Sequence, residues 1–194
     1  LSTPAIVTGS ITITSGNFNS NGRALTMGGD WVNNVGSSGY TSGTSEVVFR
    51  DQYAYLPLHS LIGAQTFHKV TVDYPLSTQY LNSSGNSTVQ NLLNVVSGGL
   101  RVNGTLQINS DVSIAQNAYI EVAGGDFYLA GNLSDSNMTY SGSNPKLGLI
   151  NASGSVILNG SGNQTIAVGY AEIGLNNLFL IKSSGIFQPA KPVN

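Results

Sequence analysis

Residues 100–133 read LRVNGTLQINSDVSIAQNAYIEVAGGDFYLAGNL, and this run carries the clearest signal of the fold class. Short apolar segments such as Thr105–Ile108 and Tyr119–Val122 alternate here with a few Gly, Asn, Ser or Ala residues. Segments of this length between turn-forming residues are typical of β-strands. Strands that follow one another so closely favour a solenoid, because each coil turns where small or αL-tolerant residues lie.

The rest of the chain repeats this pattern, and no segment sustains a helical apolar periodicity beyond two turns. The alternation in Lys69–Asp73 (KVTVD) would also suit a sandwich, in which strands bury one face. The sequence therefore predicts an all-β protein. The favoured architecture is a short solenoid, similar to a parallel β-helix, with an N-terminal extended strand. An antiparallel β-sandwich or jelly roll is the alternative.

The composition excludes several classes of protein. The 194 residues carry a net charge of −2, only 8% are charged, and there is no cysteine. Nucleic-acid binding needs clustered Lys and Arg, which this chain lacks, and a disulfide framework is impossible. No apolar run is long enough to span a membrane as a helix. The chain starts at Leu1 without Met, so we expect a secreted protein after removal of a signal peptide.

N-glycosylation sequons are concentrated in one half of the chain. Eight of them lie within residues 82–165, more than the Ser and Thr content would give by chance, and no earlier Asn belongs to one. Such a motif matters when the Asn is exposed on an exported protein. We therefore expect a glycosylated, extracellular surface. The predicted glycosylation sites are Asn82, Asn86, Asn103, Asn132, Asn137, Asn151, Asn159 and Asn163.

The sequence also suggests a degenerate internal duplication between about residues 25–73 and 122–181. Leu25–Trp31 matches Val122–Phe127 around a Gly-Gly-Asp-aromatic core, and Ser45–Phe49 matches Gly154–Leu158 in the same order. We expect Asp30 and Asp126 of this core to lie at corners and bind backbone N–H groups.

The run Leu25–Phe49 (LTMGGDWVNNVGSSGYTSGTSEVVF) resembles a repeat of secreted prokaryotic surface proteins, with GG-[DN]-W-x-N followed by GT-x-V-x-F. Residues 153–184 contain the later elements of that repeat, including Gln164-Thr-Ile166 and Leu175-Asn-Asn-Leu178. The resemblance implies a β-helical part of an adhesin or surface filament. In its size, its lack of cysteine and its number of sequons, the chain also resembles archaeal extracellular thread or pilus subunits. This resemblance implies polymerisation by donor-strand complementation.

The N-terminus has the pattern of a strand that could serve in assembly. In LSTPAIVTGSITITS, alternate residues form an apolar face, and the polar tract Gly16–Gly22 follows as a tether. Pairing within its own domain is one outcome, and completing a neighbour's sheet is the other. We predict a donor strand or tail over residues 1–15 and a single head domain over residues 16–194. The predicted assembly residues are Ala5, Val7, Gly9, Ile11 and Ile13.

Enzyme motifs are scarce. His59 and His68 lie between Asp51 and Asp73, and a triad with Ser60 is conceivable, but both His residues flank apolar segments and suit a structural role. We expect no catalytic residues, no metal site and no cofactor. A calcium site at Asp135 would need further oxygen ligands nearby, and the sequence does not group them. A carboxylate pair for glycoside hydrolysis would have to be drawn from Asp30, Asp126, Glu121 and Glu172, which the sequence does not group either.

The functional expectation is a non-enzymatic subunit of an extracellular, glycosylated pilus or thread that serves cell adhesion or biofilm scaffolding. Its partners would be identical subunits, forming a homopolymer, and N-linked glycans. The alternative is a carbohydrate-binding or adhesin module of a larger cell-surface protein. Trp31, Tyr53 and Tyr55 are the residues that could form a sugar-stacking platform.

Overall fold

The fold is a β-solenoid built almost entirely from parallel strands, seen in a computed structural model that describes residues 1–51, 58–137, 148–168 and 175–190. One short 3₁₀ turn covers Ser37–Gly39. The strands are β1 Ala5–Val7, β2 Ile11–Ile13, β3 Phe18–Asn19, β4 Leu25–Met27, β5 Trp31–Asn33, β6 Tyr40–Thr41, β7 Glu46–Phe49, β8 Leu58–Gly63, β9 Gln65–Asp73, β10 Tyr80–Ser83, β11 Asn86–Ser97, β12 Gly99–Val102, β13 Thr105–Ile108, β14 Asp111–Ile114, β15 Tyr119–Val122, β16 Asp126–Leu129, β17 Leu133–Asp135, β18 Gly148–Asn151, β19 Ser155–Leu158, β20 Gln164–Val168, β21 Leu178–Leu180 and β22 Phe187–Pro189.

The strands form three faces, which we call A, B and C in the order in which the chain meets them within a coil. Face A is the seven-stranded sheet of β2, β5, β8, β10, β12, β15 and β18. The long strands β9 and β11 span faces B and C. The first part of β11 pairs with β13 on face B, and its second part pairs with β14 on face C. The ladder between β9 and β11 shifts register between Val89 and Leu92, where the chain turns from one face to the other.

Face B continues through β13, β16, β19 and β21. The small β3–β6 sheet precedes it, with the Tyr40 ring 5.5 Å from that of Phe67. Face C consists of β1, β4 and β7, the later parts of β9 and β11, and β14, β17, β20 and β22. The seven strands of face A correspond to about seven turns, so the predicted solenoid is confirmed and the antiparallel alternative is wrong.

Residues at equivalent positions of successive coils stack into columns, because the parallel ladders keep them in register. On face C one inward column runs from Ala5 to Pro189 through a continuous series of pairings. Most of its members are buried, including Leu25, Val47 and Leu93. At the N-terminal end the core is aromatic, with the Trp31 ring 4.8 Å from that of Tyr40.

A column of glycines forms the edge between faces A and B. An added Cβ at each would contact the backbone of the residue one coil earlier, which is also a glycine for all but the first. The coils approach so closely here that no side chain fits between them. The members are Gly63, Gly85, Gly104, Gly125 and Gly154.

The prediction of an N-terminal donor strand is wrong for this structure. Residues 5–7 pair in parallel with β4 of the same chain, and residues 11–13 pair with β5. The predicted single strand is two strands on two faces, and the chain turns between them at Gly9. A Cβ added at Gly9 would have no heavy atom within 4 Å. The apolar alternation continues across this turn, so the alternation by itself did not reveal the bend.

The two predicted halves do not occupy equivalent positions. Gly28 and Gly29 lie between faces C and A, whereas Gly124 and Gly125 lie between faces A and B. The Glu46–Phe49 strand lies on face C, and its match Ser155–Leu158 lies on face B. The matched motifs are thus offset by one face, and the repeating unit of the structure is the single coil.

Candidate functional site

The sequon residues with described side chains are concentrated along the two edges that flank face B. Asn82, Asn86 and Asn103 lie at the edge between faces A and B, in two adjacent coils. Three more lie at the edge between faces B and C. They are Asn132, immediately before β17, Asn159, immediately after β19, and Asn163, immediately before β20. The arrangement forms two rows of modifiable amides on one side of the solenoid.

Four of these side chains are exposed, and two are half-buried. Asn86, Asn103, Asn132 and Asn163 are exposed, which is the first requirement for N-glycosylation. Asn82 and Asn159 are half-buried, and the Asn82 Oδ1 accepts a hydrogen bond from Asn103 Nδ2.

Two exposed sequon residues also support the next coil through their side-chain carbonyls. Asn132 Oδ1 accepts a hydrogen bond from the Thr165 N–H at 2.9 Å, and Asn163 Oδ1 accepts one from the Ile186 N–H at 3.1 Å. A glycan is attached at Nδ2, so these carbonyl contacts are compatible with modification.

Asn137 does not fit the predicted role of a glycosylation site. Its side chain is only 4% exposed, and Nδ2 donates to the carbonyls of Ala115 and Ala118 and to Asp135 Oδ1. Its Oδ1 accepts a hydrogen bond from the Asn117 N–H at 2.7 Å. The amide is therefore a structural element of the edge between faces C and A. The Asn151 side chain lies outside the described part of the structure.

The His59–Asp51 pair forms, but it cannot act in a serine triad. The distance from His59 Nε2 to Asp51 Oδ2 is 3.4 Å, both side chains are buried, and the imidazole stacks on the Tyr74 ring. Ser60 is the next residue of the same strand, so its side chain points to the outer surface. His68 instead contacts Asn91, and Asp73 pairs with Arg50. The His59–Asp51 pair is part of the packed interior of the solenoid.

The sugar-stacking platform is not assembled by Trp31, because this residue is completely buried among aromatic rings. Tyr53 and Tyr55 lie outside the described residues.

Of the two Gly-Gly-Asp carboxylates, Asp30 has the predicted corner role. Its Oδ1 accepts a hydrogen bond from the Ser60 N–H at 2.7 Å, which ties one coil to the next.

For Asp126, the described structure contains no side-chain hydrogen bond. It lies on face B and Glu121 on face A, so they do not share a cleft, and Glu172 is outside the described residues. Asp135 is engaged by Asn137, and the described ranges contain no group of three or more metal-ligating side chains.

Tyr119 adds a pH dependence that the sequence did not reveal. Its ring lies over Gly99 on the outer side of face A. Burial, followed by the charge of Glu121 and by Tyr80, raises the pKa of Tyr119 to about 12. Burial, followed by the charges of Asp51 and Asp30, likewise raises the pKa of Tyr74 above its usual range.

These shifts predict alkaline destabilisation. An unfolded tyrosine ionises near pH 10, while the folded protein keeps Tyr119 protonated to about pH 12. Stability is therefore fully present below pH 10 and falls as the pH rises from 10 to 12. Urea unfolding at several alkaline pH values should show this slope, and Tyr119→Phe should reduce it. An unchanged slope in the variant would contradict the assignment to Tyr119.

Comparisons with known protein families, curated proteins and solved structures found no match. The described residues contain no helix long and apolar enough to cross a membrane.

Proposed function

We propose that the chain is a structural subunit of an extracellular, glycosylated fibre on a prokaryotic cell surface, serving adhesion or biofilm scaffolding. The observation that carries the proposal is the placement of the sequons. Six of the eight have exposed or half-buried Asn side chains, and these six line the two edges beside face B. Glycans there would hydrate and shield a face that has few charges of its own.

The architecture supports a mechanical role. Among the described strands, parallel ladders join successive coils along face C, along face A as far as β18 and along face B from β9 onward, so the strands lie across the solenoid axis and the hydrogen bonds lie along it. A pull along the axis is shared by many backbone hydrogen bonds at once. Exported proteins without disulfides need another source of durability, and these ladders together with surface glycans would supply it.

Intact-mass and glycopeptide mass spectrometry of the native protein tests this proposal. We expect glycans on the exposed Asn86, Asn103, Asn132 and Asn163, and none on the buried Asn137. Electron microscopy of the same material should show fibres. A native mass equal to that of the bare polypeptide, with monodisperse particles in the micrographs, would contradict the proposal.

A further inference from the structure

The last coil exposes an apolar surface at the C-terminal end of the solenoid. Leu180 follows Leu158 in an inward column of face B, yet it is 54% exposed because no described coil covers it. Its neighbours Phe179, Ile181 and Ile186 are 49%, 63% and 59% exposed. Clustered exposed apolar residues of this kind mark an interaction surface.

The first coil has a corresponding surface at the other end. Ala5, Val7 and Ile11 point inward and pack against the core, but they are only half-buried. The outward Ile6 beside them is 71% exposed. The first and last described coils therefore both have inward-facing apolar residues that are only partly covered.

On face C the two end strands also have backbone groups on their outer edges that no described residue pairs with. The Ala5 N–H donates to Ala24, and the Val7 carbonyl accepts from Gly28, so the N–H and C=O of Ile6 point away from β4. In β22, the Ile186 carbonyl and the Ala190 N–H face β20. The carbonyls of Phe187 and Pro189 consequently point outward.

In the described part of each end, charged side chains, which usually protect an edge strand from pairing, are scarce. Residues 1–22 contain no Asp, Glu, Lys or Arg. Among the described residues of the last coil, 175–190, the only charged side chain is Lys182. Its ammonium is engaged by the Gly160 and Gly162 carbonyls and by Gln164 Oε1. Apart from the Leu1 ammonium, which donates to the Asn19 carbonyl at 2.9 Å, bringing the described parts of these ends together desolvates little charge.

We propose that copies of this chain stack head to tail, with β22 of one copy pairing in parallel with β1 of the next. The inference rests on the proposed fibre function and replaces strand donation by a joint between whole coils. Ala5 and Pro189 belong to the same inward column, so continuing the register places Ala5 of one copy beside Pro189 of another. The Ile6 N–H then donates to the Pro189 carbonyl.

The two ends of the solenoid are different surfaces, so each copy keeps a free end after joining and the assembly grows without closing. Pro189 and Pro4 both lack an N–H, which removes two hydrogen bonds from the new ladder. The inward-facing end residues, such as Val7 and Leu180, are covered by the neighbouring coil.

Disulfide trapping tests this joint in a chain without cysteine. In the proposed register, Ile6 lies beside Ala190 of the neighbouring copy, within the Cα distance of about 4.4–6.8 Å that a disulfide requires. Within one copy these residues lie at opposite ends of nine strands on face C, roughly 40 Å apart. The variant Ile6→Cys/Ala190→Cys should therefore form a ladder of covalent oligomers on oxidation. The matched control is Ile6→Cys/Asn94→Cys, since Asn94 lies mid-column on the same face.

A ladder in the Ile6/Ala190 variant and none in the control supports the joint. A variant that stays monomeric on oxidation, or a control that polymerises equally, overturns it. Electron microscopy of the wild-type protein separates this failure from that of the proposed function. Fibres without the disulfide ladder would leave the fibre function standing and refute this joint.

Discussion

Replacing Gly125 with Ala should destabilise the protein by about 3 kcal/mol, the upper range for overpacking a close-packed site. The new Cβ would overlap the carbonyl of Gly104 in the preceding coil, which is held by ladders on both sides. Backbone strain is not the cause, because Gly125 does not have a positive φ. Urea unfolding followed by circular dichroism would measure the loss.

The neighbouring residue provides the control. A Cβ at Gly124 would be 3.8 Å from Asn103 Oδ1 and 4.0 Å from Ser153 Oγ, which are ordinary contacts. Gly124→Ala should therefore leave the free energy of unfolding nearly unchanged. Equal losses in the two variants would show that the close approach of coils at the glycine column is not what limits side-chain size there.

Replacing Asn137 with Ala should cost about 2–3 kcal/mol of unfolding free energy, because it removes several buried hydrogen bonds at once. The Ala115 and Ala118 carbonyls lose a donor, and the Asn117 N–H loses its acceptor. Thermal and urea unfolding of the unglycosylated protein would measure the effect.

Asn86→Ala is the matched change at a sequon whose side chain is exposed, and it should be close to neutral in the unglycosylated protein. If Asn137→Ala were equally neutral, the structural role assigned to the Asn137 amide would be refuted.

The fold class could be predicted because its signals are local. Short strands such as Thr105–Ile108, separated by Gly- and Asn-containing turns, leave too few residues for long hairpins and suit coils. What the sequence did not show is which turns join which faces. The Gly-Gly-Asp motifs look alike in sequence, yet Gly28 and Gly125 lie at different edges of the solenoid.

The errors at the candidate site have a similar physical origin. A sequon is defined by three consecutive residues, whereas the burial of Asn137 depends on Ala115 and Ala118 in the preceding coil. The apolar alternation of residues 5–13 describes inward and outward directions only. It is the same whether the strand is straight or, as here, bends at Gly9 to serve two faces.

Solenoids that stack along a common axis in a glycosylated fibre would give a definite diffraction pattern. X-ray diffraction from aligned fibres of the native protein would record it. We expect a reflection near 4.8 Å along the fibre axis, since the strands lie across it, and an axial subunit repeat of roughly 40 Å from the nine strands of face C. A 4.8 Å reflection perpendicular to the fibre axis would mean that the strands run along the fibre, and it would contradict end-to-end stacking.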